Sequence, residues 1–152
     1  YKGNLLVSDA AVEKRICSFV SADTLRMTRE ALLRYFSDNV AYAYSGYFGV
    51  DMMVCRDADG GYKLHPLVEV NLRMNMGVVS RLFYNRFVDS ASKGTYCVEY
   101  YRTDGEALSF HRDMIERHPL QVIGGKIQKG YLSLTPVSEE TRYQIYVAVE
   151  EL

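Results

Sequence analysis

Four side chains stand at intervals that would let two neighbouring β-strands turn them to one face. Asp51 lies in Gly49-Val50-Asp51-Met52-Met53-Val54, and Glu69, Asn71 and Arg73 lie in Leu67-Val68-Glu69-Val70-Asn71-Leu72-Arg73. Side chains alternate faces along a strand, so Glu69 and Asn71 share one face and Val68 and Val70 the other. A three-residue hairpin connection at Asp59-Gly60-Gly61 places Asp51 directly across from Glu69, with the two Cβ atoms about 4.5–5.5 Å apart. Two carboxylates that close repel each other unless a proton or a cation lies between them. A hard divalent ion answers the repulsion, and magnesium takes oxygen ligands while bridging one or two carboxylates to phosphates. Asp51, Glu69 and Asn71 are therefore candidate ligands for magnesium or manganese. Arg73 carries a fixed positive charge suited to a phosphoryl oxygen, or else pairs with Glu69 as a surface ion pair. Pro66 cannot donate to a ladder and points to a bulge or a longer loop near His65.

Those strands need elements to hold them. Tyr1 to Val7 has the pattern of an opening strand, and Ser8 to Phe19 shows helical spacing of Ala11, Val12, Ile16 and Phe19. A second helix, capped by Asp23, carries Leu25, Leu32, Leu33 and Phe36 and ends at Asp38-Asn39. After the metal strands, Asn75 precedes a helix running from Met76 to Asp89, whose start would offer backbone donors near Gly77 to an anion. Met52, Met53, Met74 and Met76 read as core filling. Beyond Ser90 the chain becomes β-rich: strands at Thr95–Tyr101, around Gly124-Gly125, at Tyr131–Leu134 and Tyr143–Val149, and a short helix over Glu106–Arg117 stopped by Pro119. The expected fold is α+β, an antiparallel sheet backed by helices over residues 1–89, with an appended β-rich segment over 90–152.

Composition narrows the classes. The 152 residues suffice for a domain with a real core, and a net charge of −1 gives no reason to expect nucleic acid or an anionic membrane. No apolar run reaches the length of a membrane span. Cys17, Cys55 and Cys97 are odd in number and far apart, which suits free thiols in a reducing, cytoplasmic setting. His65, His111 and His118 are scattered and read as surface or capping residues. The 13 tyrosines fit half-buried strands better than a substrate wall of Tyr42, Tyr44 and Tyr47.

The run from Gly49 to Arg73 resembles the metal-binding core of the ATP-grasp superfamily: a Gly-hydrophobic-acid strand, a turn, and a Glu-hydrophobic-Asn-x-Arg strand end. The resemblance covers roughly Ser8 to Phe87. It departs from the family at Leu72, where proline is common, at Tyr47-Phe48, where some members carry an arginine, and in the His65-Pro66 step. It implies that Asp51, Glu69 and Asn71 hold magnesium between ATP phosphates, with Arg73 near the phosphoryl-transfer centre. It further implies a ligase that activates a carboxylate as an acyl phosphate and joins it to an amine, thiol or similar nucleophile. The chain then reads as the C-terminal part of a longer protein whose N-terminal lobe completes the nucleotide site, inactive by itself. Its carboxylate and acceptor substrates are unspecified, and a homo-oligomer is compatible with it. Two other readings stand beside this one: a degenerate, non-catalytic module of the same fold, and an acid–base pair of Asp51 and Glu69 as in glycoside hydrolases. The latter gives no role to Asn71 or Arg73.

Overall fold

A computed structural model describes residues 3–152; Tyr1 and Lys2, which begin the expected opening strand, lie outside the described residues. The elements run β1 (Asn4–Leu6), α1 (Asp9–Cys17), α2 (Ala22–Asn39), β2 (Gly49–Arg56), β3 (Tyr62–Asn71), α3 (Met76–Phe87), β4 (Ser92–Tyr100), α4 (Glu106–Arg117), β5 (Gln121–Ile123), β6 (Lys126–Ser133) and β7 (Tyr143–Glu151). The fold is α+β. An antiparallel five-stranded sheet in the order β1-β4-β7-β6-β5 is backed by helices, and β2 and β3 form a second sheet of two strands. Among the described residues no helix is long and apolar enough to cross a membrane.

The chain divides into two compact units, one of the stretch up to Ser8 with Ser80–Leu152, the other of Asp9–Val79. This division differs from a cut at 89/90. β1 pairs with β4, Asn4 against Tyr96 and Leu6 against Gly94, so the chain's first strand belongs with the β-rich segment. The large sheet is thus built mainly from residues that read as an appendage in sequence.

In the sheet unit, β4 and β7 pair along their whole length from Ser92↔Glu151 to Tyr100↔Tyr143. Leu6 and Val147 are fully buried, and Tyr84, Val88, Tyr96, Tyr131 and Val149 are nearly so. Burial on this scale is the main favourable term in folding. α4 spans the expected Glu106–Arg117; the Glu106 carboxylate accepts from the Arg102 and Thr103 amides at 3.0 and 3.2 Å and closes the turn before it. Those bonds, that of Thr103 first, hold the Glu106 carboxyl below its ordinary range. Gly124 and Gly125, expected in a strand, instead make the turn between β5 and β6, with φ of 58° and 77°.

The hairpin unit is less enclosed. α2 is capped by Ser21, whose Oγ accepts from the Thr24 amide at 3.1 Å. Asp23, the expected cap, lies in the first turn and pairs with Arg26 at 3.2 Å. Leu25 and Phe36 face inward, and the Phe36 ring meets Phe48 at 4.9 Å between centroids. Leu33, expected on the same stripe, is 69% exposed. The methionines do not fill a core as expected: Met53, Met74 and Met76 are exposed. An open apolar hollow of about 560 Å³ lies between α2 and β3, lined by Met27, Leu32, Tyr35, Pro66 and Leu67 among others.

Candidate metal and phosphate site

The hairpin that carries the candidate ligands turns at Asp57–Gly61, a longer connection than the expected Asp59–Gly61. The Asp57 amide donates to the Gly61 carbonyl at 2.8 Å and the Gly60 amide to the Asp57 carbonyl at 3.0 Å. Gly60 takes a φ of 81° there, a region that side chains disfavour. The Asp57 carboxylate accepts from Lys63 at 2.9 Å and from the Ala58 amide at 2.8 Å. Lys63 first, then that amide, holds its pKa below the ordinary carboxylate value.

From this turn the strands pair Arg56↔Tyr62 through Met53↔His65. Extended without a break, that register would set Asp51 against Leu67. A bulge at Pro66 intervenes: the ladder resumes as Asp51↔Glu69, Val50↔Val70 and Gly49↔Asn71. The longer turn shifts the register by two positions and the bulge restores them. Asp51 and Glu69 therefore stand opposite each other, although the connection expected between them is not the one that forms. Proline has no N–H to give the ladder, which is why the bulge falls where it does.

Asp51 and Glu69 are exposed and Asn71 is half-buried at the last position of β3. Among the described residues neither carboxylate has an ion-pair partner. Arg73 does not pair with Glu69. Its Nη2 donates to Asn71 Oδ1 at 3.0 Å, and its amide donates to the Asn71 carbonyl at 2.8 Å, so the chain turns sharply after the strand. The guanidinium thus occupies the amide oxygen that the ligand set would use. Just beyond, Asn75 Oδ1 accepts from the Val78 amide at 3.0 Å and caps α3. Tyr42 and Tyr47 are exposed, and the Tyr44 hydroxyl donates to the Tyr47 carbonyl at 2.7 Å, closing a local turn.

The donor set is two carboxylates and a carboxamide, all oxygen, on adjacent strands. That chemistry fits a hard divalent cation that keeps part of its water shell. No cluster of three or more His, Cys, Asp or Glu occurs among the described residues, so Asn71 is needed as the third protein oxygen.

A second polar group is present that the sequence did not single out. Gln144, fully buried in β7, accepts from the Tyr101 hydroxyl at 3.0 Å and donates from Nε2 to the Tyr131 hydroxyl and to Ser133 Oγ, the latter at 2.9 Å. His111, expected at the surface or as a cap, is half-buried, and its Nδ1 lies 2.9 Å from the Tyr131 hydroxyl, so this histidine joins the network through that nitrogen. The Phe110 ring lies 5.3–6.1 Å from the rings of Tyr101, Tyr131 and Tyr146. Burial pushes the Tyr101 phenol up to about 12 and raises Tyr131 and Tyr146 as well. No buried side-chain polar atom lacks a partner among the described residues. A network so fully satisfied specifies the packing of the sheet unit. The only signal for it in sequence is a glutamine amid the apolar run of β7.

No protein-family model, no curated protein and no solved structure matches this chain.

Proposed function

We propose that the β2–β3 face holds magnesium or manganese against the phosphates of ATP, and that the chain is the C-terminal portion of an ATP-grasp-type ligase. The single observation that carries this reading is the pairing of Asp51 with Glu69 across the ladder, neither with a cationic partner among the described residues, beside Asn71 at the strand end. Such an arrangement costs repulsion that a divalent ion would relieve. When bound, the ion supplies charge neutralisation to the transferring phosphate. Asp51, Glu69 and Asn71 fix its position. Arg73, on leaving Asn71 Oδ1, becomes free to donate to a phosphoryl oxygen and stabilise charge developing there. The substrate would be a carboxylate whose oxygen takes the terminal phosphoryl group of ATP with release of ADP; an amine, thiol or similar nucleophile would then attack the acyl phosphate and displace phosphate. A cytoplasmic setting, consistent with three free thiols, belongs to the same proposal.

The test is calorimetry of manganese with ATP on the full-length protein, wild type against Glu69→Ala. A loss of metal-dependent nucleotide affinity of about tenfold or more in the variant, roughly 1.4 kcal/mol, is expected. Equal binding by the two proteins refutes the site. The chain alone is expected to show weak nucleotide affinity and no ligation; ATP-dependent ligation by it would overturn the need for a further lobe.

A further inference from the structure

Asn71 sits at the least secure place in the ligand set. It is the last residue of its strand, and a two-stranded ribbon is marginal without added support. The structure supplies that support from four residues downstream. A Cβ placed on Gly49 would lie 1.9 Å from Asn75 Nδ2 and 3.0 Å from Asn75 Cγ. The Asn75 carboxamide therefore packs onto the Gly49 backbone, and Gly49 is the residue directly opposite Asn71. Gly49 does not have a positive φ. Space alone demands glycine there. The other end of the same carboxamide, Oδ1, caps α3 through the Val78 amide at 3.0 Å, and the Val79 amide donates to the Asn75 carbonyl at 3.0 Å.

We infer that Asn75 is a positioning residue for the metal ligands. One side chain clasps the Gly49–Asn71 end of the hairpin to the first turn of α3, fixing Asn71 relative to Glu69 and Asp51. The inference rests on the metal-site reading above, and it gives Gly49 a steric reason to be glycine. Ligand constellations need positional precision of about half an ångström, which supporting contacts must provide.

Two substitutions test the clasp, the first of them with a helix cap retained. Asn75→Ser keeps an oxygen that caps a helix about as well as asparagine but removes the carboxamide over Gly49. Gly49→Ala pushes that carboxamide away and leaves the residue at the cap unchanged. The probe is manganese alone, added to the ¹⁵N-labelled protein, with paramagnetic broadening of the Asp51, Glu69 and Asn71 resonances as the readout and thermal unfolding as the control. Both variants are expected to need about fivefold more manganese for equal broadening, and Asn75→Ser is expected to unfold at nearly the wild-type temperature. Wild-type manganese response in Asn75→Ser overturns the positioning role. No broadening at these residues in the wild-type protein overturns the metal site itself, and the inference with it. Hydrogen exchange at the Asn71 amide, read without metal, distinguishes the two failures. Exchange about tenfold faster in both variants shows that the clasp exists even where the ion does not bind, and unchanged exchange shows that it does not.

Discussion

Replacing Gln144 by leucine tests whether the buried polar network holds the sheet unit together. Gln144 is fully buried, and its carboxamide makes three side-chain hydrogen bonds. Leucine has similar bulk, so the change is mainly one of polarity. Three partners are left behind with unequal consequences. The Tyr131 hydroxyl keeps His111 Nδ1, and Ser133 Oγ keeps its bond to the Thr135 carbonyl at 2.7 Å. The Tyr101 hydroxyl loses its acceptor while 6% exposed. A buried hydroxyl left unpaired costs about 1–3 kcal/mol, and each of the other two lost bonds about 0.5–1.5 kcal/mol. The gain from burying leucine's methyl groups offsets about 1 kcal/mol of this. The expected net loss is about 3 kcal/mol, a fall in Tm on the order of 15 °C for a unit of this size. Thermal unfolding followed by near-ultraviolet circular dichroism is the assay, since the chain has 13 tyrosines and no tryptophan to obscure them. A loss below about 0.5 kcal/mol would refute the reasoning, because the carboxamide would then be no better than a hydrocarbon of the same shape.

The buried phenols predict an alkaline limit. A tyrosine whose folded pKa exceeds its unfolded value stabilises the fold fully below the unfolded value, about 10, and loses that contribution as pH rises through the folded one. Tyr101, at about 12, sets the window at about pH 10–12; absorbance at 295 nm should show a late-titrating class coincident with unfolding, and uniform titration near pH 10 would contradict it. Gly130 has a φ of 109°, and a Cβ there would come within 2.4 Å of the Pro119 carbonyl oxygen. Gly130→Ala is expected to destabilise the sheet unit by about 2–4 kcal/mol, read by urea denaturation. Ser21→Ala removes the cap of α2 and is expected to cost about 1 kcal/mol, read by thermal denaturation. Within the metal site, Arg73→Gln is expected to tighten manganese binding in the absence of nucleotide, because the guanidinium no longer competes for Asn71 Oδ1, and to weaken binding when ATP is present; calorimetry with and without ATP checks both signs.

The sequence alone determined those features that depend on local alternation and spacing. Asp51, Glu69 and Asn71 share a face because strand side chains repeat every two residues, and α4 ends at Arg117, ahead of Pro119, as expected. The Asp51↔Glu69 pairing was legible only in outcome, since a turn two residues longer and a bulge of two residues cancel. The tertiary structure decided the rest. A strand as short as Asn4–Leu6 has no pattern that names its partner, so its union with β4 could come only from the folded sheet. Gly49 carries no local sign that Asn75 packs on it, and Gln144 and His111 become a network only when β7, β6 and α4 converge. Local periodicity fixes which way a side chain points; which neighbour it meets depends on chain segments far apart in sequence and on the space left between them.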